Sequence, residues 1–183
     1  IAEEQKLGWE PVRAIFVPVA RALAAAHAGG VVHRDMKPAN VMIADDGVVK
    51  VMDFGVARML APDPHAPTAG PARAAPSGPM PSTRTSTLVG TPAYMPPEAL
   101  SGLITTRGDL FSTGVCLYEA LTGRLPFGFD GWTVDTAPRR HPAAELVKGL
   151  PPEVDGLLNE LLEPDPERRL PDAKVLERRL LEI

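Results

Sequence analysis

The apolar positions near the start of the chain recur at helical spacing. Val12, Ile15, Phe16, Val19 and Leu23 fall on one face of a helix predicted over 11–28. Pro11 suits its first turn. Pro18 does not suit its interior. It removes a backbone donor and crowds the carbonyl of Ala14, at about 3 kcal/mol, so a kink or a break into two segments is expected there. Gly29-Gly30 ends the helix.

Short apolar runs follow. Val41–Ile43 and Val48–Val51 flank Ala44-Asp45-Asp46-Gly47, and two β-rich runs around an Asp-Gly turn predict a hairpin. Residues 109–121 form a continuous apolar helix, stopped by Gly123 and Pro126. Val154, Leu157, Leu158, Leu161 and Leu162 give a helix over 153–162. A last helix covers 172–182, with Asp172 as its N-cap behind Pro171. Residues 128–150 carry no readable period, and there is no internal repeat. Residues 61–81 hold seven prolines, six alanines and two glycines. Such a stretch buries too little apolar area to offset its ordering entropy, so it reads as a flexible loop.

Composition narrows the function. The chain has 183 residues, enough for one domain with a core. Its formal charge of -4 argues against a nucleic-acid partner, which calls for a basic face. Cys116, the single cysteine, stands among apolar residues and reads as a buried small hydrophobe. A lone cysteine fits a reducing, cytoplasmic setting. No apolar run reaches membrane-spanning length. The chain begins on Ile1, so it is expected to be a piece of a longer protein that could carry an anchor elsewhere.

The chemistry concentrates in His33-Arg34-Asp35-Met36-Lys37-Pro38-Ala39-Asn40, followed thirteen positions after Asn40 by Asp53-Phe54-Gly55. Asp35 and Asn40 share one short segment, and Asp53 returns on the hairpin. Oxygen ligands or acceptors therefore converge from two adjacent segments, which suits a hard cation such as Mg²⁺. Asp-Phe-Gly alone is also an ordinary turn sequence. Together, in this order, the two motifs resemble the catalytic loop and metal-binding triplet of the protein kinase family.

That resemblance implies a mainly α fold, the kinase C-lobe, with a small β-hairpin carrying the catalytic and metal-binding loops. It implies ATP and Mg²⁺ (or Mn²⁺) as cofactors and protein substrates with Ser or Thr hydroxyls. Asp35 would orient or deprotonate the substrate hydroxyl. Asn40 and Asp53 would hold the metal. Lys37 would contact the transferred phosphate, as in the Ser/Thr-specific branch. Met42 would lie under the adenine. His33, Phe54 and Gly55 would be structural parts of the same motifs, and Arg34 resembles kinases regulated by phosphorylation.

Gly90-Thr91-Pro92-Ala93-Tyr94-Met95-Pro96-Pro97-Glu98 resembles the end of the family's activation segment. Thr91 would bond to Asp35 and Lys37. Pro96 stands where the family usually has Ala, at a helix start that tolerates it. Glu98 would pair with Arg169. Asp109 would accept hydrogen bonds from the catalytic-loop backbone; it also suits a helix N-terminus through the dipole alone. Residues 56–89 would form a long activation loop, in which Thr83 and Thr85 are candidate phosphorylation sites that pair with Arg34, or simply part of a polar, solvated loop.

A complete kinase also needs a Gly-rich loop, a strand Lys and a helix Glu. None is recognisable here, so the N-lobe is expected to be missing from 1–183 and supplied in cis. The chain alone is then expected to bind ATP weakly and to expose an apolar patch that includes Met42. Two other readings stand beside this one. A pseudokinase or scaffold would bind partners without catalysis. A small-molecule phosphotransferase of kinase-like fold would lack the Gly-Thr-Pro…Pro-Glu platform.

Overall fold

The computed structural model describes residues 6–54, 92–127, 129–130, 133–134 and 141–183. Helix α1 (Trp9–Ala28) leads to a hairpin of β1 (Val41–Ile43) and β2 (Val49–Val51). Helix α2 (Thr106–Thr122), the two-residue strands β3 (Phe129–Asp130) and β4 (Thr133–Val134), and the short α3 (Ala143–Leu146) follow. Helices α4 (Pro152–Leu161) and α5 (Ala173–Glu182) close the described chain. Single 3₁₀ turns sit at Pro38–Asn40, Pro92–Tyr94 and Pro97–Ser101. The described residues are thus mostly helical, with two small antiparallel hairpins.

Helix α1 runs unbroken through Pro18, so of the expected kink or break into two segments, the break does not occur. Its apolar face decides the matter. Val12, Phe16, Val19, Ala20 and Leu23 are buried, and the helix packs against α5, β2 and α2. Burying each large side chain is worth about 1.5–3 kcal/mol, which outweighs one lost backbone bond. Gly30, at φ +73°, turns the chain out of α1.

Helix α2 is buried on all sides, as the spine of the core. It begins at Thr106, before the predicted 109, because the Thr105 hydroxyl accepts from the Gly108 N–H and caps the helix. Gly114 lets α2 approach α4: a Cβ there would meet Leu161 Cβ at 2.8 Å. Helix α5 starts behind Asp172, whose carboxylate accepts from Val175 N–H at 2.8 Å. Leu157, Leu158 and Leu161 of α4 and Leu176 and Leu180 of α5 complete the core. Cys116 is buried within it.

The hairpin is antiparallel, with Met42 opposite Lys50. Gly47 takes φ +81° and donates to the Ala44 carbonyl, closing the turn. The first strand starts directly after Asn40, and the Met52 N–H donates to the Asn40 carbonyl at 2.8 Å. That bond joins the end of the hairpin to the loop that precedes it.

In the stretch 128–150, which carries no readable period, α3 is held from outside. The Asp155 carboxylate of α4 accepts from Ala143 and Ala144 N–H at 2.7 and 3.0 Å. Residues 55–91 lie outside the described residues, and with them Gly55, Thr83, Thr85, Thr91 and the stretches 61–81 and 56–89.

Candidate active site

Segment 33–40 is shaped by one carboxylate from α2. Asp109, in the first turn of that helix, is almost fully buried. Its Oδ2 accepts from His33 N–H and its Oδ1 from Arg34 N–H, both at 2.8 Å. Consecutive amides converge on the two oxygens of one side chain. Arg34 takes φ +73°, a left-handed conformation that a non-glycine residue holds only when its surroundings impose it.

The ring of His33 works on both sides. Nε2–H donates to the Met52 carbonyl at 2.8 Å. That fixes the tautomer, because a carbonyl cannot donate, and leaves Nδ1 to accept from Asp35 N–H at 3.3 Å. The ring is buried and meets Phe54 edge-on, with centroids 4.7 Å apart. Met52 is therefore gripped at its N–H by Asn40 and at its carbonyl by His33. The next residue, Asp53, stands exposed at φ +58°, again left-handed.

Asp35 faces the polar groups of its own loop. Lys37 Nζ lies 2.6 Å from its Oδ2. Asn40 Nδ2 donates to the Asp35 carbonyl at 2.7 Å and reaches its Oδ2 at 3.4 Å. The structure thus brings Asp35, Lys37 and Asn40 into direct contact and seats Asp53 on the residue tied to them. The amide oxygen of Asn40 and the carboxylate of Asp53 are both hard donors, matching Mg²⁺ and not a thiolate-seeking metal. Among the described residues no cluster of three or more His, Cys, Asp or Glu forms a dedicated metal cage. Two protein oxygens suit a cation that takes its other ligands from phosphates and water.

Glu98, in the 3₁₀ turn Pro97–Ser101, pairs with Arg169, which lies between α4 and α5. The guanidinium is buried, bonds both carboxylate oxygens at 2.6 and 3.0 Å, and donates to the carbonyls of Glu163, Arg107 and Pro164. Pro96 precedes the 3₁₀ turn at 97 and packs beside Gly108. Tyr94 Oη–H donates to Glu119 at 2.7 Å; burial and that carboxylate push its phenol pKa up. Met42, Ile43, Val48 and Met52, in and beside the hairpin, are each exposed.

One member of this network escaped the sequence reading. His27, in the last turn of α1, places Nε2 2.8 Å from Asp109 Oδ2. The helix dipole favours His at such an end, but its partner stands 82 positions away.

The protein kinase domain family matches residues 1–181, and the chain belongs to that family. It is 39% identical over 168 residues to the serine/threonine-protein kinase PknL of Mycobacterium tuberculosis, an alignment covering 88% of this chain and 38% of that protein. A probable serine/threonine-protein kinase of Streptomyces coelicolor is 37% identical over 174 residues, or 92% of this chain and 24% of its own length. One from Clostridium perfringens is 33% identical over 181 residues, or 95% and 24%. The chain therefore spans well under half the length of these relatives. No helix among the described residues is long and apolar enough to cross a membrane.

Proposed function

We propose that this chain is the C-terminal lobe of a bacterial serine/threonine protein kinase, and that the protein containing it transfers the ATP γ-phosphate to Ser or Thr hydroxyls of protein substrates. The observation that carries the reading is the contact set around Asp35. Lys37 and Asn40 reach its Oδ2 at 2.6 and 3.4 Å, and the hairpin end that bears Asp53 is bonded to the same loop.

The residues divide the work as follows. Asp35 orients the attacking hydroxyl and accepts its proton. Lys37, already beside that carboxylate, offers its ammonium to the transferred phosphate and offsets charge where it develops. Asn40 Oδ1 and the Asp53 carboxylate would hold Mg²⁺ or Mn²⁺, whose positive charge neutralises the triphosphate. Met42, exposed on β1, offers an apolar surface to the adenine. Thr91 would support Asp35 and Lys37, and phosphate on Thr83 or Thr85 would engage Arg34. The Gly-rich loop and strand Lys that complete such a site are not recognisable in these 183 residues and would come from an N-lobe in cis.

The test is transfer of labelled γ-phosphate to Ser/Thr peptides by protein made from the complete reading frame. Asp35→Asn should cut the rate about 10²–10⁴-fold. Equal rates in both proteins, or phosphate on tyrosine alone, would overturn the assignment.

A further inference from the structure

We infer that Lys50 borders the nucleotide site, and that its ammonium donates to a ring nitrogen or ribose oxygen in the base-bearing half of ATP. This contact rests on the assignment of Met42 to the adenine.

The register of the hairpin places the lysine. Lys50 on β2 stands directly opposite Met42 on β1. Opposed residues of an antiparallel pair share one face, with Cβ atoms about 4.5–5.5 Å apart. The alternate positions Val41, Val49 and Val51 pack against the core. Met42 and Lys50 therefore face outward, and both are exposed. A base lying on Met42 meets Lys50 at one of its edges.

Position along the strands decides which half of the nucleotide is in reach. The Met52 N–H donates to the Asn40 carbonyl, so that pair continues the ladder toward the metal-binding end. Lys50 lies two residues back from Met52, about 7 Å along the strand. Cation and phosphates belong at the Asn40 and Asp53 end, and Lys50 belongs with Met42 at the base end. Lysine is uncommon in strands, and this is the only cation between Val41 and Asp53. Among the described residues it pairs with no carboxylate, although Asp45 and Asp46 stand in the adjoining turn. Its ammonium is open to a ligand.

The test uses protein from the complete reading frame. Acetylation by acetic anhydride is read by mass spectrometry at Lys50 and at the exposed Lys148 and Lys174, with adenosine or ATP present or absent. Either ligand at saturation should slow labelling of Lys50 about 3-fold or more and leave the other two lysines unchanged. Lys50→Met keeps the apolar stem and removes the charge. It should raise both KM for ATP and the inhibition constant of adenosine about 3–10-fold, with the loss in kcat/KM carried by KM. Lys50→Arg, which keeps donors, should recover most of that loss. A rise for ATP with adenosine unchanged would put Lys50 on the phosphates and overturn the base-side contact. Equal labelling with and without both ligands, or Lys50→Met kinetics matching the parent, would overturn the inference and leave the kinase reading intact where the parent transfers phosphate. Protection of Lys50 by adenosine in a protein that transfers no phosphate would sink the kinase reading and leave the base contact standing.

Discussion

Arg169 and Glu98 are 71 positions apart in the chain, yet meet in a two-point ion pair at 2.6 and 3.0 Å. Neither side chain is exposed beyond 7%. Such a pair contributes little net stability against an apolar substitute, but either half alone is a buried charge without its partner. Arg169 also satisfies three backbone carbonyls and lies over the Phe111 ring at 4.9 Å. Arg169→Met should therefore lower unfolding free energy by about 3–5 kcal/mol in urea titrations. Glu98→Gln should also destabilise by several kcal/mol, because it leaves the buried Arg169 cation without a countercharge, although the amide oxygen still accepts one bond and the three carbonyls keep their donor.

Two helical glycines should respond to alanine with opposite signs. At Gly114 a new Cβ would sit 2.8 Å from Leu161 Cβ and 3.1 Å from Leu162 Cδ2, so α2 and α4 must separate. Gly114→Ala should destabilise by about 1–3 kcal/mol. At Gly156, within α4, nothing lies within 4 Å of the added carbon. Gly156→Ala should stabilise by roughly 0.5–1 kcal/mol, by limiting the unfolded chain and favouring the helix. Thermal unfolding of the two variants beside the parent chain checks both signs.

These sites mark where sequence reasoning stops. The apolar spacing of Val12 to Leu23 located α1, and Asp172 behind Pro171 located the cap of α5, because both signals are local. The break at Pro18 was a local rule overridden by packing against α5 and β2. The short α3 was illegible because its cap, Asp155, belongs to another helix. Asp35, Lys37, Asn40 and Asp53 were legible only through motifs that resemble a family; no spacing alone ties Met52 to His33. His27 gave no signal, since its meaning lies in Asp109.

Cys116 should be silent to alkylating reagents in the folded protein. Burial, with the Glu119 carboxylate nearby, pushes its thiol pKa up, and the thiolate is the nucleophile. The same shift sets a sign for stability. The folded thiol keeps its proton where the unfolded one has lost it, so this contribution is intact below the ordinary thiol pKa and declines as pH rises beyond it. Iodoacetamide labelling followed by mass spectrometry should show modification only as the chain unfolds, at a rate that tracks urea concentration. Rapid labelling of the native protein would show that α2 opens locally.

The two carboxylates of the proposed site should fail in different ways. Asp53 is exposed and hard, and its seat is fixed by Met52. If it holds the cation, Asp53→Asn weakens a charge–charge contact that more Mg²⁺ can partly offset, so the half-saturating Mg²⁺ concentration should rise at least 10-fold. Asp35 is engaged by Lys37 and Asn40 and would act on the hydroxyl, not the metal. Asp35→Asn should therefore lower kcat without moving the Mg²⁺ midpoint. Transfer rates measured across Mg²⁺ concentration, in protein from the complete reading frame, separate the two. A shared shift in midpoint would mean that both carboxylates bind the cation, and the division of roles between the loop and the hairpin would have to be withdrawn.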